Sequence, residues 1–285
     1  MAFNLGLRFG LGAIPKAVMT ATSFDPASWF AASEQGAWYD PSDFSTLFQD
    51  AAGTTPVTAV GQSVGLMLDK SGRGNHASQV TQTKRPVLQV DGNGCYYLLA
   101  DGVDDSMTTS AVNLTGTARV TVVVGIRKLA DTAYPVIVES YNLSTYADFG
   151  LHASGAASVT GYLGGVTQAP TANVSGQTQN NNNAPVTNVV TASYWSKGSA
   201  LVDTAALRVN GIDQALTDTS AGTPVTTNNF SNAPFALFHR INNGGGTPAL
   251  FFNGRFYGAI VRGAVSTPAE IANAEAWMNT KTKAY

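Results

Sequence analysis

The chain has 285 residues, a formal net charge of −2 and only 12% charged residues, whereas a typical globular domain carries about 25%. The scarcity of glutamate and lysine argues against a helical bundle or coiled coil, and the 44% hydrophobic content argues against global disorder. Without a basic surplus, dedicated nucleic-acid binding is also disfavoured.

The first 36 residues are predicted to form an arm, and residues 37–285 a single domain. Glycines, Pro15 and Arg8 interrupt the apolar stretch near the N-terminus, so it lacks the continuous apolar centre of a secretory signal. No apolar run approaches the roughly 18 residues that a membrane span requires. We expect the arm to become ordered by docking on other proteins.

A short helix is predicted just after the arm. Asp40 can cap it, Pro41 suits the first helical position, and Asp43 interacts favourably with the helix dipole. On this prediction Phe44, Leu47 and Phe48 share one face.

Most of the remaining chain is predicted to be strand and turn. The run Val120–Ile126 is β-branched and apolar, as expected for a central strand covered on both faces. Asn210–Gly211 and Asp91–Gly94 each separate two apolar segments and predict hairpins. Further strands are predicted at Val136–Val138, Val186–Ala192, Phe235–His239 and Phe256–Val261. The pattern indicates an all-β antiparallel sandwich or barrel.

The middle of the chain carries no formal charge. From Phe149 to Ser196 there is no Asp, Glu, Lys or Arg. Such a surface suits neutral, hydroxyl-rich ligands or packing against a neighbouring subunit; the alternative is a long solvated loop.

A second helix is predicted near the C-terminus. Thr267 and Glu270 have capping-box spacing, and Pro268 occupies the first helical position. An apolar stripe follows and predicts that the helix packs on a sheet: Ile271, Ala274, Trp277 and Met278.

Four segments follow one another along the chain: Asp69–Ala77, with the pattern Asp-x-Ser-Gly-x-Gly-Asn-His, Ala100–Asp105, Leu207–Gly211, and Phe252–Gly258 followed by Arg262 and Ser266–Ile271. In this order they resemble segments of the laminin-G-like, concanavalin A-like jelly rolls. This resemblance implies an antiparallel two-sheet jelly-roll sandwich with a short C-terminal helix.

The preceding segments Gly36–Asp43 and Thr46–Asp50 resemble the opening of a group of tailed-bacteriophage and prophage virion proteins. The resemblance implies a virion structural protein, assembled in the host cytoplasm: a tail, fibre or baseplate component that contacts a host-surface glycan or pilus. Its arm would bind other virion proteins. Alternatives are a capsid decoration or head-fibre protein, a polysaccharide-degrading tail enzyme, and a secreted adhesin. We expect a homo-oligomer, specifically a trimer, because closed symmetry lets identical charge-poor faces bury one another.

The sequence does not support catalysis, and we expect a non-enzyme. Glycoside hydrolysis requires two convergent carboxylates. The chain has four glutamates, of which Glu139 ends a strand without an acidic neighbour, and a distant aspartate meeting it in space stays open. No Gly-x-Ser-x-Gly element is present.

No cofactor is predicted except calcium, for which Asp69, Asp101 and Asp104 are the candidate ligands. Calcium prefers carboxylate and carbonyl oxygens, which these turns offer alongside Asp105. The alternative is that the aspartates accept hydrogen bonds from their own backbone.

Glycan contacts are predicted at Tyr162, Tyr194, Trp195 and Asn181, the last within the run Asn180–Asn183. Tyr141 and Tyr146 are further candidates. Sugars favour an aromatic face beside amide and hydroxyl groups; the alternative for the aromatic residues is core packing.

Overall fold

The computed structural model describes residues 24–140, 148–155, 160–169, 172–179, 181–224, 227–241 and 247–285. Within these residues, the strands in chain order are β1 (Gly36–Tyr39), β2 (Leu47–Phe48), β3 (Leu66–Met67), β4 (Ala77–Ser78), β5 (Val87–Val90), β6 (Tyr96–Asp101), β7 (Met107–Asn113), β8 (Arg119–Lys128), β9 (Val136–Ser140), β10 (Asp148–His152), β11 (Leu163–Ala169), β12 (Ala172–Thr178), β13 (Val186–Trp195), β14 (Ala205–Val209), β15 (Ile212–Asp213), β16 (Leu216–Asp218), β17 (Asn232–Leu237) and β18 (Asn253–Arg262). The α-helices are α1 (Leu201–Thr204) and α2 (Pro268–Thr282), and 3₁₀ turns span Pro26–Trp29, Phe44–Thr46 and Gln82–Lys84.

The strands form two antiparallel sheets. The eight-stranded sheet has the order β15-β14-β13-β8-β18-β6-β5, and β1 also pairs with β18. The ten-stranded sheet has the order β16-β12-β11-β10-β9-β17-β7-β4-β3-β2. The predicted all-β, two-sheet fold is therefore confirmed.

The strongest local predictions are also confirmed. β8 lies between β13 and β18, and the run Val120–Ile126 is buried throughout. Asn210 and Gly211 have φ of 51° and 77°, as a type I′ hairpin turn between β14 and β15 requires. The segments flanking Asp91–Gly94 pair as β5 and β6.

The core lies between the sheets. Phe149 of the ten-stranded sheet stacks on Tyr194 of the eight-stranded sheet, with ring centroids 5.6 Å apart. Phe230 and Phe235 contact the edges of the same Phe149 ring. Such aromatic contacts between the layers fix their relative position because each ring buries a large apolar area.

The helix α2 begins as predicted, with Thr267 and Glu270 forming the capping box. It packs against β8, β13 and β18 on the outer face of the eight-stranded sheet. Trp29 and Phe30, which precede β1, belong to the same buried apolar cluster as Ala274 and Met278. The part of this face around Ala274 and Met278 is therefore covered by the chain's own segments.

Two sequence expectations differ from the structure. The helix predicted after Asp40 is only the 3₁₀ turn Phe44–Thr46, because Leu47 and Phe48 leave it to pair with β3. The charge-free middle is not a long loop: most of its described residues belong to the strands β10, β11, β12 and β13.

Of the predicted arm, residues 1–23 lie outside the described residues. Residues 24–35 contact the sandwich: Arg73 donates hydrogen bonds to the carbonyls of Phe30, Ala31 and Ala32. Glu34 forms an ion pair with Arg262, with 2.8 Å between Oε2 and Nε. Among the described helices, none is long and apolar enough to cross a membrane.

Candidate functional site

The outer face of the ten-stranded sheet carries a cavity of about 690 Å³ that is lined by both polar and apolar groups. Side chains alternate across this sheet: Phe149, Leu151, Val166 and Val174 enter the core, and the residues between them face outward. The cavity is lined by outward residues of β9 to β12 and by the neighbouring segments around Tyr134, Thr219, Arg240 and Leu250. We call it the outer cavity.

The floor of the outer cavity is formed by two paired glycines. Gly150 of β10 lies directly opposite Gly165 of β11, and the same row continues to Glu139 on one side and Ser175 on the other. Both glycines line the cavity as the floor of a trough. Their missing side chains leave room for neighbours: a Cβ at Gly165 would lie 2.5 Å from that of Ser175, and one at Gly150 would lie 3.0 Å from His152 Nε2. From the core side, the Tyr194 hydroxyl donates to the carbonyl of Gly150 at 2.8 Å and supports the floor.

One end of the cavity holds buried charge. Glu139 is 1% exposed and accepts hydrogen bonds from Arg240, whose Nη2 lies 3.0 Å from Oε2 and whose Nε lies 3.1 Å from it. Burial, together with the nearby Asp148 carboxylate, raises the pKa of Glu139 to about 7 against the opposing effect of Arg240. Glu139 and Arg240 therefore form an ion pair above neutral pH, and Glu139 is protonated below it.

His152 lies beside this ion pair as a neutral ring. Its Nδ1 donates to the carbonyl of Tyr134 at 2.9 Å. Burial and the positive charge of Arg240 lower the pKa of His152 to about 4. The ring therefore stays uncharged at neutral pH and holds the backbone of Tyr134 in place.

The other end of the cavity is polar and uncharged. It is lined by Thr167, Asn173, Ser175, Gln177 and Thr219. The Ser175 hydroxyl lies 2.9 Å from that of Thr219 and donates to Asn173 at 3.1 Å. Four of these five residues belong to the charge-free stretch, so its predicted neutral polar surface forms one end of this cavity.

Two rim residues have unusual backbone conformations. Tyr134 and Leu250 have φ of 55° and 56°, a region that disfavours bulky side chains. Tyr134 is 41% exposed, so its ring is available to solvent at the edge of the trough. Backbone strain of this kind is concentrated at ligand sites, where the surrounding structure sustains it.

The predicted glycan residues do not line the cavity. Tyr162 and Tyr194 are buried, and desolvation raises the pKa of both phenols. One face of the Trp195 ring is covered by the Arg119 guanidinium, 4.4 Å from its centroid. Asn181 is exposed, but its Oδ1 accepts from Asn182. Tyr162 and Tyr194 therefore pack in the core, as the alternative interpretation expected. Three further candidates lie outside the described residues: Tyr141, Tyr146 and Asn180.

The structure separates the predicted calcium ligands. Both carboxylate oxygens of Asp69 accept hydrogen bonds, from Trp38, Ser71 and Asn75, so this residue organises its own turn. Within the same turn, His76 Nδ1 accepts from the backbone N–H of Asp69. The hydrogen bond from the Trp38 backbone N–H joins this turn to β1.

The remaining acidic residues lie together. One oxygen from each of Asp101, Asp104 and Asp105 falls within 4.8 Å of the others. Asp101 Oδ1 accepts from the backbone of Val103, and Asp105 Oδ2 from that of Asp101, as in the turn interpretation. Burial and the neighbouring carboxylates raise the pKa of Asp105 to about 6. Calcium binding at this turn stays a prediction.

Sequence reasoning missed most of the cavity. Arg240 lies 101 residues from Glu139, and no local pattern joins them. A signal did exist for the floor: Gly150 and Gly165 interrupt otherwise regular strands, and glycine within a strand marks a bend or a close approach by a ligand or backbone.

The fold and this face define an antiparallel jelly-roll β-sandwich with a polar cavity on one sheet. No protein-family model matches the chain, and no curated protein matches it. A structure of botulinum neurotoxin type C is similar over 87% of this chain, with a TM-score of 0.53 and 10% identity. This chain covers 51% of the neurotoxin chain, about half its length. Domain 4 of the extracellular arabinanase AbnA from Geobacillus stearothermophilus, in complex with arabinotriose, aligns over 73% of this chain and 91% of its own, with a TM-score of 0.49 and 13% identity.

Proposed function

We propose that the chain is a non-catalytic glycan-binding module and that the outer cavity holds a neutral sugar. The observation that carries this proposal is the glycine-floored trough between an exposed tyrosine and a row of uncharged hydroxyl and amide groups. A sugar ring needs room for its faces and hydrogen-bond partners for its hydroxyls. The trough supplies the room, and its uncharged end supplies the hydrogen-bond partners.

Each part of the cavity has a separate role in this proposal. The Tyr134 ring packs against the apolar face of a sugar. Asn173, Ser175 and Thr219 exchange hydrogen bonds with sugar hydroxyls. The Glu139–Arg240 pair stays fixed at the far end of the cavity.

The biological setting that we propose is the virion of a tailed bacteriophage, where the module would contact a host-surface glycan or pilus. The support is the resemblance of Gly36–Asp43 and Thr46–Asp50 to the opening of such proteins. A tail, fibre or baseplate position, attachment through the arm, and a trimeric state belong to this proposal, with a head-fibre position as the alternative. Botulinum neurotoxin type C, a structure of which has a similar fold, depends on interaction with two ganglioside molecules for cell entry, and this supports a glycan as the ligand class.

A polysaccharide-degrading enzyme is the competing proposal, and one observation favours it: Asp148 lies close enough to Glu139 to raise the pKa of that carboxyl. However, Glu139 is 1% exposed and bound by two nitrogens of Arg240. Asp148 is also buried and accepts a hydrogen bond from Ser231. Both acids are thus engaged within the protein, which favours binding over hydrolysis.

The proposal is tested by glycan-array screening followed by calorimetry with the best neutral oligosaccharide. Gly150→Ala adds a methyl group to the floor, 3.0 Å from His152 Nε2, and Tyr134→Ala removes the rim ring. We expect each variant to bind about fivefold to tenfold more weakly, the equivalent of about 1 kcal/mol.

Two variants serve as controls. Gly116→Ala has nothing within 4 Å of the added methyl group, and Tyr134→Phe keeps the ring; both are expected to bind like the wild type. An array without any hit contradicts glycan binding. Undiminished binding in Gly150→Ala and Tyr134→Ala contradicts the location, and release of new reducing ends supports the enzyme instead.

A further inference from the structure

One ring nitrogen of a histidine in the outer cavity makes no hydrogen bond with the part of the chain that the structure describes. His152 follows Gly150 by two residues on β10, so both lie on the outer face of the ten-stranded sheet. The ring is 6% exposed and lines the cavity. A Cβ atom at Gly150 would lie only 3.0 Å from Nε2 of His152, which places this nitrogen above the glycine floor.

The hydrogen bond at the other ring nitrogen fixes the tautomer of His152. Nδ1 lies 2.9 Å from the carbonyl oxygen of Tyr134, and a carbonyl oxygen can only accept. Nδ1 therefore carries the proton. In a neutral imidazole the second nitrogen then presents a lone pair, so Nε2 can only accept a hydrogen bond.

The neighbouring strands supply no donor to Nε2. The residues directly opposite His152 are Leu163 of β11 and Val136 of β9, and both have hydrocarbon side chains. Arg240, the nearby cation, donates from Nε and Nη2 to Glu139. Nε2 thus has no hydrogen-bond partner among the described residues. A buried acceptor without a donor is unfavourable, and such groups in folded proteins usually have a partner.

A second buried histidine, His239, provides a comparison. It is 4% exposed, and its Nδ1 also donates to a carbonyl, that of Leu237 at 3.2 Å. Its Nε2, however, lies 3.5 Å from the hydroxyl of Thr108, and the residue lies outside the described lining of the outer cavity. The fold therefore supplies a donor to the enclosed histidine and leaves the acceptor of His152 to a group that enters the cavity.

The Nε2 atom of His152 remains an acceptor at neutral pH. The charged groups around the ring are Arg240 and its partner Glu139. Burial and the positive charge of Arg240 lower the pKa of His152 to about 4, because protonation would place a second cation beside the first. The ring thus keeps its lone pair available to a donor.

We propose that a sugar in the outer cavity donates one hydroxyl to Nε2 of His152, and that this contact makes the site specific for a free hydroxyl at that position of the sugar ring. The inference rests on the proposed glycan-binding function. Leu163, directly opposite His152, offers an apolar surface beside the acceptor for C–H groups of the same ring. A sugar that lacks this hydroxyl leaves the buried lone pair unpaired, and sites built to bind a hydroxyl reject such analogues.

The experiment uses the full chain with isotope-labelled histidine and follows the ring-nitrogen NMR signals. The probes are the methyl glycosides of glucose, galactose, mannose and arabinose, together with the neutral oligosaccharide that binds best on the glycan array. The signal of an unprotonated ring nitrogen moves to lower frequency when it accepts a hydrogen bond. We expect this movement for Nε2 of His152 as the sugar saturates the protein, and no change for His239. One monodeoxy derivative of the bound glycoside is expected to bind about tenfold more weakly, as the loss of one hydrogen bond predicts.

The variant His152→Asn keeps an N–H group in the position of Nδ1, for the carbonyl of Tyr134, and lacks the Nε2 acceptor. It is expected to bind the parent sugar about tenfold more weakly and to bind the monodeoxy derivative as well as the parent. A role of His152 in stability alone does not produce this loss of discrimination. His239→Asn is the matched control, because it alters a buried histidine of the same tautomer outside the cavity lining.

Three results overturn the inference. The first is a sugar that shifts the amides of Gly150 and Ser175 but leaves the Nε2 signal of His152 unchanged, which assigns the acceptor to solvent. The second is folded His152→Asn protein that still discriminates between the parent and the monodeoxy sugar as the wild type does. The third is an equal loss of discrimination in His239→Asn. Sugar binding at the outer cavity stands after any of these results, whereas no binding by the array glycans or the glycosides contradicts both proposals.

Discussion

The outer faces of the two sheets differ although both sheets share one core. On the eight-stranded sheet, outward residues such as Val123, Val189 and Ile260 are apolar and cluster with Trp29 and with Ala274 and Met278 of α2. On the ten-stranded sheet, most outward residues of β9 to β12 that line the outer cavity are polar or glycine, and Leu163 is an apolar exception. The same architecture thus separates a face used for stability from a face available to ligands.

The difference originates in strand composition. β8 is apolar at nearly every position, and a strand of this type needs cover on both sides. β12 instead alternates buried and partly exposed residues, which is typical of a sheet with one face open.

The largest expected effect concerns the covered face. Met278→Ala removes a fully buried side chain that lies over Gly125 of β8. We expect a loss of about 3 kcal/mol in the free energy of unfolding, with unchanged affinity for the sugar. Denaturant titration measures the loss of stability, and calorimetry measures the affinity for the sugar.

The exposed Thr280 is the matched control, and Thr280→Ala is expected to change stability far less. Weakened sugar binding in folded Met278→Ala protein contradicts the separation of the two faces.

A smaller effect on stability is expected when the pH is changed, through His152 and Glu139 of the outer cavity. The pKa of His152 is lowered from 6.5 to about 4, so the unfolded chain binds more protons between these values and stability rises with pH. The pKa of Glu139 is raised from 4.5 to about 7, so the folded chain binds more protons and stability falls with pH. Between pH 4.5 and 6.5 the two contributions oppose each other.

Single variants separate these contributions. Relative to the wild type, the stability of Glu139→Gln is expected to increase with pH in this window, and that of His152→Gln to decrease, each by on the order of 1 kcal/mol per pH unit. Denaturant titrations at several pH values check the slopes. Parallel pH profiles for all three proteins contradict the assigned protonation states.

The fold was largely predictable because its signals are local. The β-branched run of β8, the Asn210–Gly211 turn and the Thr267 capping box each specify structure within a few residues. The prediction of a helix after Asp40 was wrong because capping residues also suit a single 3₁₀ turn. Leu47 then pairs with β3, which ends that turn.

The cavity was less predictable because it depends on register and on which face each residue occupies. Tyr194 was expected to meet a ligand, yet it points into the core and reaches the cavity only through its hydrogen bond to Gly150. Glu139 was noted, but Arg240 and His152 come to it from other parts of the chain. Strand pairing over such separations is not encoded in any short motif.

The most direct test maps the bound sugar. Isotope-labelled protein is titrated with the neutral oligosaccharide that binds best on the array, and amide shifts are followed across both sheets. We predict that the largest changes fall on Gly150, Gly165 and Ser175, with little change along α2. Changes confined to the eight-stranded sheet, or to the turn Asp101–Asp105, contradict the assignment of the open face as the binding surface.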